Sequence, residues 1–141
     1  MPDALAVRGG RIVVLTYEGG APVIRRYLLD GAVDTTFGGG DGHVAIVDEQ
    51  IGDTSPVDVA IQPGGAIVVA ASNGNLQAFR VTAGGVLDTT FNGAIPAVEL
   101  GGAGDDEIAG IAVDAAGRIV LAGTLELDAS QQDPFIARFV P

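Results

Sequence analysis

The side chains of this 141-residue chain that could do chemistry are mainly its 18 carboxylates. Asp105, Asp106 and Glu107 are consecutive, and clustered carboxylate oxygens are the ligands that hard cations such as calcium prefer. Their spacing matches neither an EF-hand nor a repeat-in-toxin motif. The segment is therefore interpreted first as a solvated acidic loop, with calcium as the one metal it could take.

Two further acids, Asp34 and Asp88, each stand second in the phrase (Val/Leu)-Asp-Thr-Thr-Phe, and they lie 54 residues apart. Such an acid could bind a metal or act in catalysis. A side chain that returns in each repeat usually belongs to the scaffold, since a site needs only one copy. We therefore expect each Asp to hydrogen-bond its own turn, and Phe37 and Phe91 to pack between repeats.

Arginines recur at matching points of the chain. Arg26, Arg80 and Arg138 each stand near the end of an apolar segment. A guanidinium in a repeated position is expected to pair with a nearby carboxylate, and Asp34 and Asp88 are the candidates.

No catalytic constellation is evident, and no catalytic residue is assigned. The chain has one histidine, His43, and neither cysteine nor lysine. It therefore lacks a thiol nucleophile, a zinc–thiolate site, a Walker A lysine and a Schiff-base amine. There is no Gly-x-Ser-x-Gly motif for His43 to serve, and it is expected to begin a strand and face solvent.

The charge balance excludes some classes of partner. Seven arginines against 18 acids leave a net charge of −11. Nucleic acids and anionic membrane surfaces attract basic proteins, so neither is expected as a partner. No apolar run reaches the length of a membrane span, and the first residues do not resemble a secretory signal.

The elements that must position these side chains are short strands. Apolar, β-branched runs are bounded by many of the 22 glycines, a pattern that favours strands over helices. The runs group into units at about 4–47, 57–100 and 108–139. The sequence predicts an all-β fold of the β-propeller type with three four-stranded antiparallel blades, the last lacking its fourth strand, in one repeat domain over 1–141. A sandwich or barrel is the alternative.

Three segments carry a family resemblance. Ile111 to Leu121 fits a hairpin of the type Ala-Val-x-x-x-Gly-Arg-Ile-Val-Val, Arg26-Tyr27 fits an Arg-aromatic strand end, and 33–38 and 87–91 fit a Leu-Asp-Thr-Thr-Phe-Gly connection. The chain resembles the delta-60 repeat, a bacterial β-propeller repeat family, over nearly its whole length. The resemblance implies an exported parent protein, extracellular or on the cell surface, and says little about its ligand.

Three blades are fewer than the roughly four to eight that close a propeller. The flat faces of the first and last blades would then be exposed apolar surfaces. The expected partners are therefore further blades of a longer parent chain or a second copy in a homo-oligomer.

The acids are expected on one rim. In an up-and-down blade, the loops after the second and fourth strands share a rim, and the loops assigned to it (17–22, 48–56, 72–75, 101–107 and 124–133) hold ten of the 18 acids and no arginine. Propeller rims commonly bind ligands. The predicted binding residues on this acidic rim are Asp48, Glu49, Asp53, Asp105, Asp106 and Glu107.

The sequence thus favours a structural or binding module without a cofactor, which presents acidic rim loops to a protein or carbohydrate. One alternative is a hydrolase or lyase that uses rim carboxylates as acid and base. Another is a self-assembling segment completed by a second chain.

Overall fold

A computed structural model describes residues 2–47, 55–72, 76–91, 106–128 and 131–139. Within these ranges the chain forms ten β-strands and no helix, so no described helix could cross a membrane. The strands make three antiparallel sheets of four, three and three strands, each in sequence order. The all-β prediction is confirmed, and the sheets are consistent with part of a β-propeller.

The first sheet, blade 1, contains β1 (Pro2–Arg8), β2 (Arg11–Glu18), β3 (Ala21–Leu28) and β4 (His43–Ala45). Blade 2 contains β5 (Ser55–Ile61), β6 (Ile67–Ser72) and β7 (Leu76–Val81). Blade 3 contains β8 (Glu107–Val113), β9 (Ile119–Asp128) and β10 (Gln131–Phe139). The predicted fourth strand of the second unit, 95–100, lies outside the described residues.

Glycine pairs make the tight turns of blade 1. Arg8 pairs with Arg11 around Gly9-Gly10, whose φ angles are 59° and 76°. A two-residue hairpin turn needs positive φ at both central positions, which glycine adopts without a steric penalty. The turn therefore sets the register of β1 on β2 and places the two flanking arginines directly opposite each other.

Blade 2 is covered on both faces, as a central propeller blade must be. Successive side chains of a strand point to opposite faces. Ile67 and Val69 join a cluster with Val13 of blade 1, whereas Val68 and Ala70 join a second cluster with blade 3. This two-sided burial explains why β6 is a continuous apolar run and does not alternate with polar residues.

The first strand of each blade is an edge strand of its sheet, and β5 of blade 2 contacts both β1 of blade 1 and β8 of blade 3. Each carries a register shift near its start, which falls between Pro2 and Ala4, between Pro56 and Asp58, and between Ile108 and Gly110. An extra residue at such a point increases the local twist of the strand. The three sheets therefore repeat in geometry as well as in sequence.

The described structure corrects one predicted loop. The segment 124–133 was expected to be a rim loop, but its described residues, 124–128 and 131–133, belong to the paired strands β9 and β10, in which Thr124 pairs with Pro134 and Glu126 with Gln132. The prediction was wrong because the backbone ladder continues through polar residues once two long strands are aligned. β4 is also shorter than predicted and ends at Ala45 rather than Val47.

Candidate functional site: an arginine cleft between blades 1 and 2

The carboxylate of Asp34, in the connection between β3 and β4, is held by hydrogen bonds and ion pairs from residues of its own blade. Its Oδ1 accepts hydrogen bonds from the Thr36 N–H (3.0 Å) and the Thr36 hydroxyl (2.6 Å). Its Oδ2 lies 2.9 Å from Arg26 Nε and 2.6 Å from Arg11 Nε. The residue is only 2% exposed, so this carboxylate is a structural anchor that holds two arginines.

Blade 2 repeats the arrangement with fewer partners. Asp88 accepts from the Thr90 N–H at 3.0 Å and the Thr90 hydroxyl at 2.6 Å, and Arg80 Nε donates to it at 2.8 Å. The Arg80 guanidinium also lies 4.8 Å from the centre of the Phe91 ring, a cation–π contact. Phe91 belongs to the apolar cluster that joins blades 2 and 3.

In blade 1, the residues around the Asp34 connection also join this blade to blade 2. Arg26 Nη1 donates to the Ala83 carbonyl at 2.6 Å, and the Gly38 N–H donates to the Gly84 carbonyl at 3.1 Å. Phe37 is fully buried in the cluster shared by the two blades. The repeated Arg, Asp and Phe residues therefore form the seam between neighbouring blades.

The third recurring arginine has different surroundings. Arg138 lies opposite Val120 in the β9–β10 ladder, just as Arg26 lies opposite Val13 and Arg80 opposite Val68. Its side chain is exposed, and no ion pair joins it to another described residue.

The seam carboxylates are poor candidates for a general acid. Hydrogen bonds from Thr36, assisted by the charges of Arg26 and Arg11, lower the pKa of Asp34 to about 2. Thr90 and Arg80 lower the pKa of Asp88 in the same way. A carboxyl acid catalyst at neutral pH needs a raised pKa, so both side chains stay charged and serve the seam.

An open cleft of about 730 Å³ lies between blades 1 and 2 and is lined by Arg8, Arg11 and Arg26. Its other walls are the Gly9 turn, the Pro63-Gly64-Gly65 turn and Ala83-Gly84. None of the described residues that line it is acidic. Three of the chain's seven arginines therefore meet at one opening.

The three arginines are not equally engaged. The Arg26 guanidinium donates to Asp34, Ala83 and Thr36. Among the described residues, Arg8 makes only a long 3.4 Å contact with the Ile61 carbonyl. Arg11, whose side chain is 40% exposed, gives only its Nε to a described partner at short distance, namely Asp34. Arg8 and Arg11 are therefore the residues whose donors are available to a ligand.

Blade 1 differs from the other two blades in the residue pair that flanks the turn of its first hairpin. In blade 1 this pair is Arg8 and Arg11. In blade 2 it is the uncharged Gln62 and Ala66. In blade 3 it is Asp114 and Arg118, which form a salt bridge of 2.6 Å. Among these equivalent pairs, only that of blade 1 brings two like charges together.

Most of the predicted acidic rim cannot be placed, because Asp48, Glu49, Asp53 and Asp105 lie outside the described residues. Glu107 is exposed at the start of β8. Asp106 is only 4% exposed, and its Oδ1 accepts a hydrogen bond from the Glu126 N–H at 2.9 Å. Its Oδ2 has no partner among the described residues.

The described residues contain no other evident chemical site. No group of three or more His, Asp or Glu side chains within them is arranged to hold a metal ion. His43 is exposed at the start of β4, with its Nδ1 3.3 Å from Asp41 Oδ1. The opposition of Arg8 and Arg11 was not predicted from the sequence, although the Gly9-Gly10 turn between them is the signal that could have indicated it.

A comparison with protein families agrees with this architecture. A family model described as "Domain of unknown function (DUF5122) beta-propeller" matches residues 10–37, which include β2, β3 and the connection with Asp34. None of the curated proteins compared with the chain matches it. The match and the three successive antiparallel sheets together support a β-propeller module built from repeats.

Proposed function

We propose that the chain is a non-enzymatic binding module, built from delta-60-type blades and carried by an exported bacterial protein. Its ligand site is the arginine cleft between blades 1 and 2. The seam residues recur and serve the scaffold, whereas the opposed pair of arginines occurs only in blade 1 among the three equivalent pairs: blade 3 has Arg118 at the place of Arg11 but an acid, Asp114, at the place of Arg8. A difference confined to one blade is what a site on a repeat scaffold requires.

The observation that carries the proposal is the direct opposition of Arg8 and Arg11. Like charges directly opposite each other on a sheet are destabilising, with Cβ atoms only about 5 Å apart. Asp34 neutralises part of this charge through Arg11 but makes no ion pair with Arg8. A bound anion between the two guanidinium groups removes the repulsion.

The hydrogen-bonding geometry of arginine indicates the chemical class of the ligand. Two adjacent guanidinium groups bind carboxylate oxygens through paired, charge-assisted hydrogen bonds. The volume of the cleft suits a small ligand or a short segment of a polymer. We therefore assign a carboxylate-bearing ligand, such as an acidic sugar or an acidic peptide segment.

The net charge of −11 does not prevent this. Charges separated by more than about 8 Å are largely screened at physiological ionic strength. No described acidic side chain lines the cleft, and among the described acids only Asp34 pairs with its arginines, so the positive local charge controls binding there. Binding is expected to weaken as salt is raised.

Calorimetric titration with galacturonate oligosaccharides and with oligoglutamate tests the proposal, and neutral galactose oligosaccharides of the same length are the control. We expect saturable binding of at least one acidic probe and none of the neutral sugar. In blade 2 the position equivalent to Arg8 is occupied by Gln62, so Arg8→Gln introduces a residue type that this hairpin accepts. The substitution should weaken binding of the acidic probe at least about tenfold. Arg118→Gln is the matched control, because Arg118 is paired with Asp114 and lies outside the cleft.

Two results would contradict the assignment. One is the absence of saturable binding by either acidic probe. The other is equal affinity in the wild-type chain and the Arg8→Gln variant.

The acidic rim, comprising Asp48, Glu49, Asp53, Asp105, Asp106 and Glu107, is a second candidate surface for a protein or carbohydrate partner. The exposure of Glu107 favours it. The burial of Asp106 argues that this residue orders the start of β8 and does not contact a partner.

A further inference from the structure

We propose that two copies of this chain associate head to tail, so that blade 3 of each copy packs on blade 1 of the other. The trailing face is defined as the outward side of blade 3, with Val120, Ala122, Ile136 and Arg138. The leading face is the outward side of blade 1, with Leu5, Val7, Ile12, Val14 and Tyr27. The inference concerns assembly and does not depend on the arginine cleft.

The trailing face is the side that the other two blades bury. Ile136 lies two residues before Arg138, as Ile24 precedes Arg26 and Ala78 precedes Arg80. Ile24 and Ala78 are 0% and 1% exposed because the next blade covers them, whereas Ile136 is 78% exposed. Blade 3 therefore presents an apolar seam surface that none of the described residues covers.

The leading face is its counterpart. Leu5 and Val7 pair with Val14 and Ile12, as Val59 and Ile61 pair with Val69 and Ile67 in blade 2. Blade 2 buries its pair against blade 1, leaving Val59 and Ile61 4% and 6% exposed, whereas Leu5 is 62% exposed and Val7 58%. The trailing face and the leading face are therefore equivalent to the two faces that meet in an internal seam.

An ion pair between the two copies would fix how the trailing face of one aligns with the leading face of the other. In the seam between blades 1 and 2, Arg26 donates to the Ala83 carbonyl, in the turn closed by the Thr82 N–H and the Val86 carbonyl. The equivalent turn of blade 1 runs from Leu28 to Ala32 with the same 2.8 Å closing bond. In that turn the residue that corresponds to Ala83 is Leu29.

The next residue in the turn is Asp30, at the place that Gly84 takes in blade 2. Asp30 is exposed, and its Oδ1 accepts the Ala32 N–H at 3.0 Å. Arg138 is ion-paired to no described residue. Asp30 of a second copy would therefore neutralise Arg138 when the faces meet as an internal seam does.

We assign a second copy as the occupant because one chain carries both halves of this seam, and a pair of equal contacts related by a two-fold axis is the commonest closed assembly. Two copies supply six blades, within the range of roughly four to eight that closes a propeller. Such a ring leaves the arginine cleft, which lies inside each chain, unchanged.

Sedimentation equilibrium of the 141-residue chain between low and high micromolar concentrations tests the inference. The expected species is a dimer of twice 14.1 kDa. Arg138→Asp and Asp30→Arg should each weaken dimerisation at least about tenfold, and the double variant should recover most of the loss. Asp41→Arg is a matched control, since Asp41 is an exposed acid in the same β3–β4 connection but outside the 28–32 turn.

A monomer at every concentration would overturn the inference, as would a dimer that neither charge reversal weakens. Open chains of increasing length would overturn the closed ring. Circular dichroism of each variant verifies that its sheets are intact, and Ile136→Asp tests the apolar part of the face independently of Arg138.

Discussion

Arg26 Nε lies 2.9 Å from Asp34 Oδ2, and the same guanidinium group lies 4.4 Å from the centre of the Phe37 ring. One arginine thus joins a buried carboxylate and a buried ring, and its Nη1 reaches the backbone of the next blade. Removing one partner of a buried ion pair leaves an uncompensated charge, which costs more than the pair itself contributes. The seam is therefore where substitutions should be most damaging.

The first prediction compares the two seam carboxylates. Asp34→Asn should lower the free energy of unfolding by about 3 kcal/mol, because Arg26 and Arg11 lose their counter-charge. Asp88→Asn should cost about half as much, since Asp88 pairs with one arginine and its side chain is 16% exposed. Urea titration measures both, and an equal or reversed order would contradict this account of the seam.

The second prediction concerns acid unfolding. The folded-state pKa of Asp34 is about 2, below the ordinary value of about 3.9 for an aspartate in an unfolded chain. Its contribution to stability is therefore fully present above about pH 4 and is lost as the pH falls through 2. The stability difference between wild type and Asp34→Asn should shrink over this interval, and thermal melts at pH 7, 4 and 2 follow it. A difference that stays constant would exclude an ionic role for Asp34.

The third prediction uses two glycines in equivalent turns. Gly85 and Gly31 have φ angles of +92° and +87°, so alanine is strained at both, by about 1 kcal/mol. A Cβ on Gly85 would also lie 2.7 Å from the Gly38 nitrogen across the seam, whereas one on Gly31 meets nothing within 4 Å. Gly85→Ala should therefore be the more destabilising by at least about 1 kcal/mol, as measured by chemical unfolding of dilute samples. Equal losses would mean that the two blades are not in tight contact there.

The fourth prediction tests the repulsion in the cleft without any ligand. Arg8→Gln should raise the melting temperature at low ionic strength, by the equivalent of about 0.5 kcal/mol, because it removes one of two opposed like charges. The gain should vanish in high salt, where the repulsion is screened. Arg118→Gln is the control and should show no gain, because it breaks an attractive pair. Destabilisation by Arg8→Gln at low salt would show that Arg8 is already neutralised.

The fifth prediction concerns metals. We expect calcium to produce no saturable heat in calorimetry and no rise in melting temperature beyond that caused by magnesium, because the described carboxylates do not gather into a metal-binding group. Samples treated with EDTA should melt like untreated ones. Saturable calcium binding that is lost in Glu107→Gln would instead make 105–107 a calcium site.

Local chemistry explains most of what could be predicted from the sequence. The apolar run of β6 indicated a strand, and the glycines at the ends of such runs indicated turns. The repeated Asp-Thr-Thr-Phe phrase indicated a repeat architecture. Each of these signals depends on residues adjacent in the chain. For the same reason the positions of Asp34 and Phe37 in the repeat pointed to a scaffold role before any contact was known.

The tertiary structure decided the features that depend on register and on packing between blades. The opposition of Arg8 and Arg11 follows from strand pairing across a two-residue turn, and buried Asp106 accepts a hydrogen bond from Glu126 of β9, 20 residues along the chain. The strand character of 124–128 and 131–133 arises only when β9 pairs with β10. These properties depend on how strands pair and pack in space, which periodicity and composition along the chain do not report.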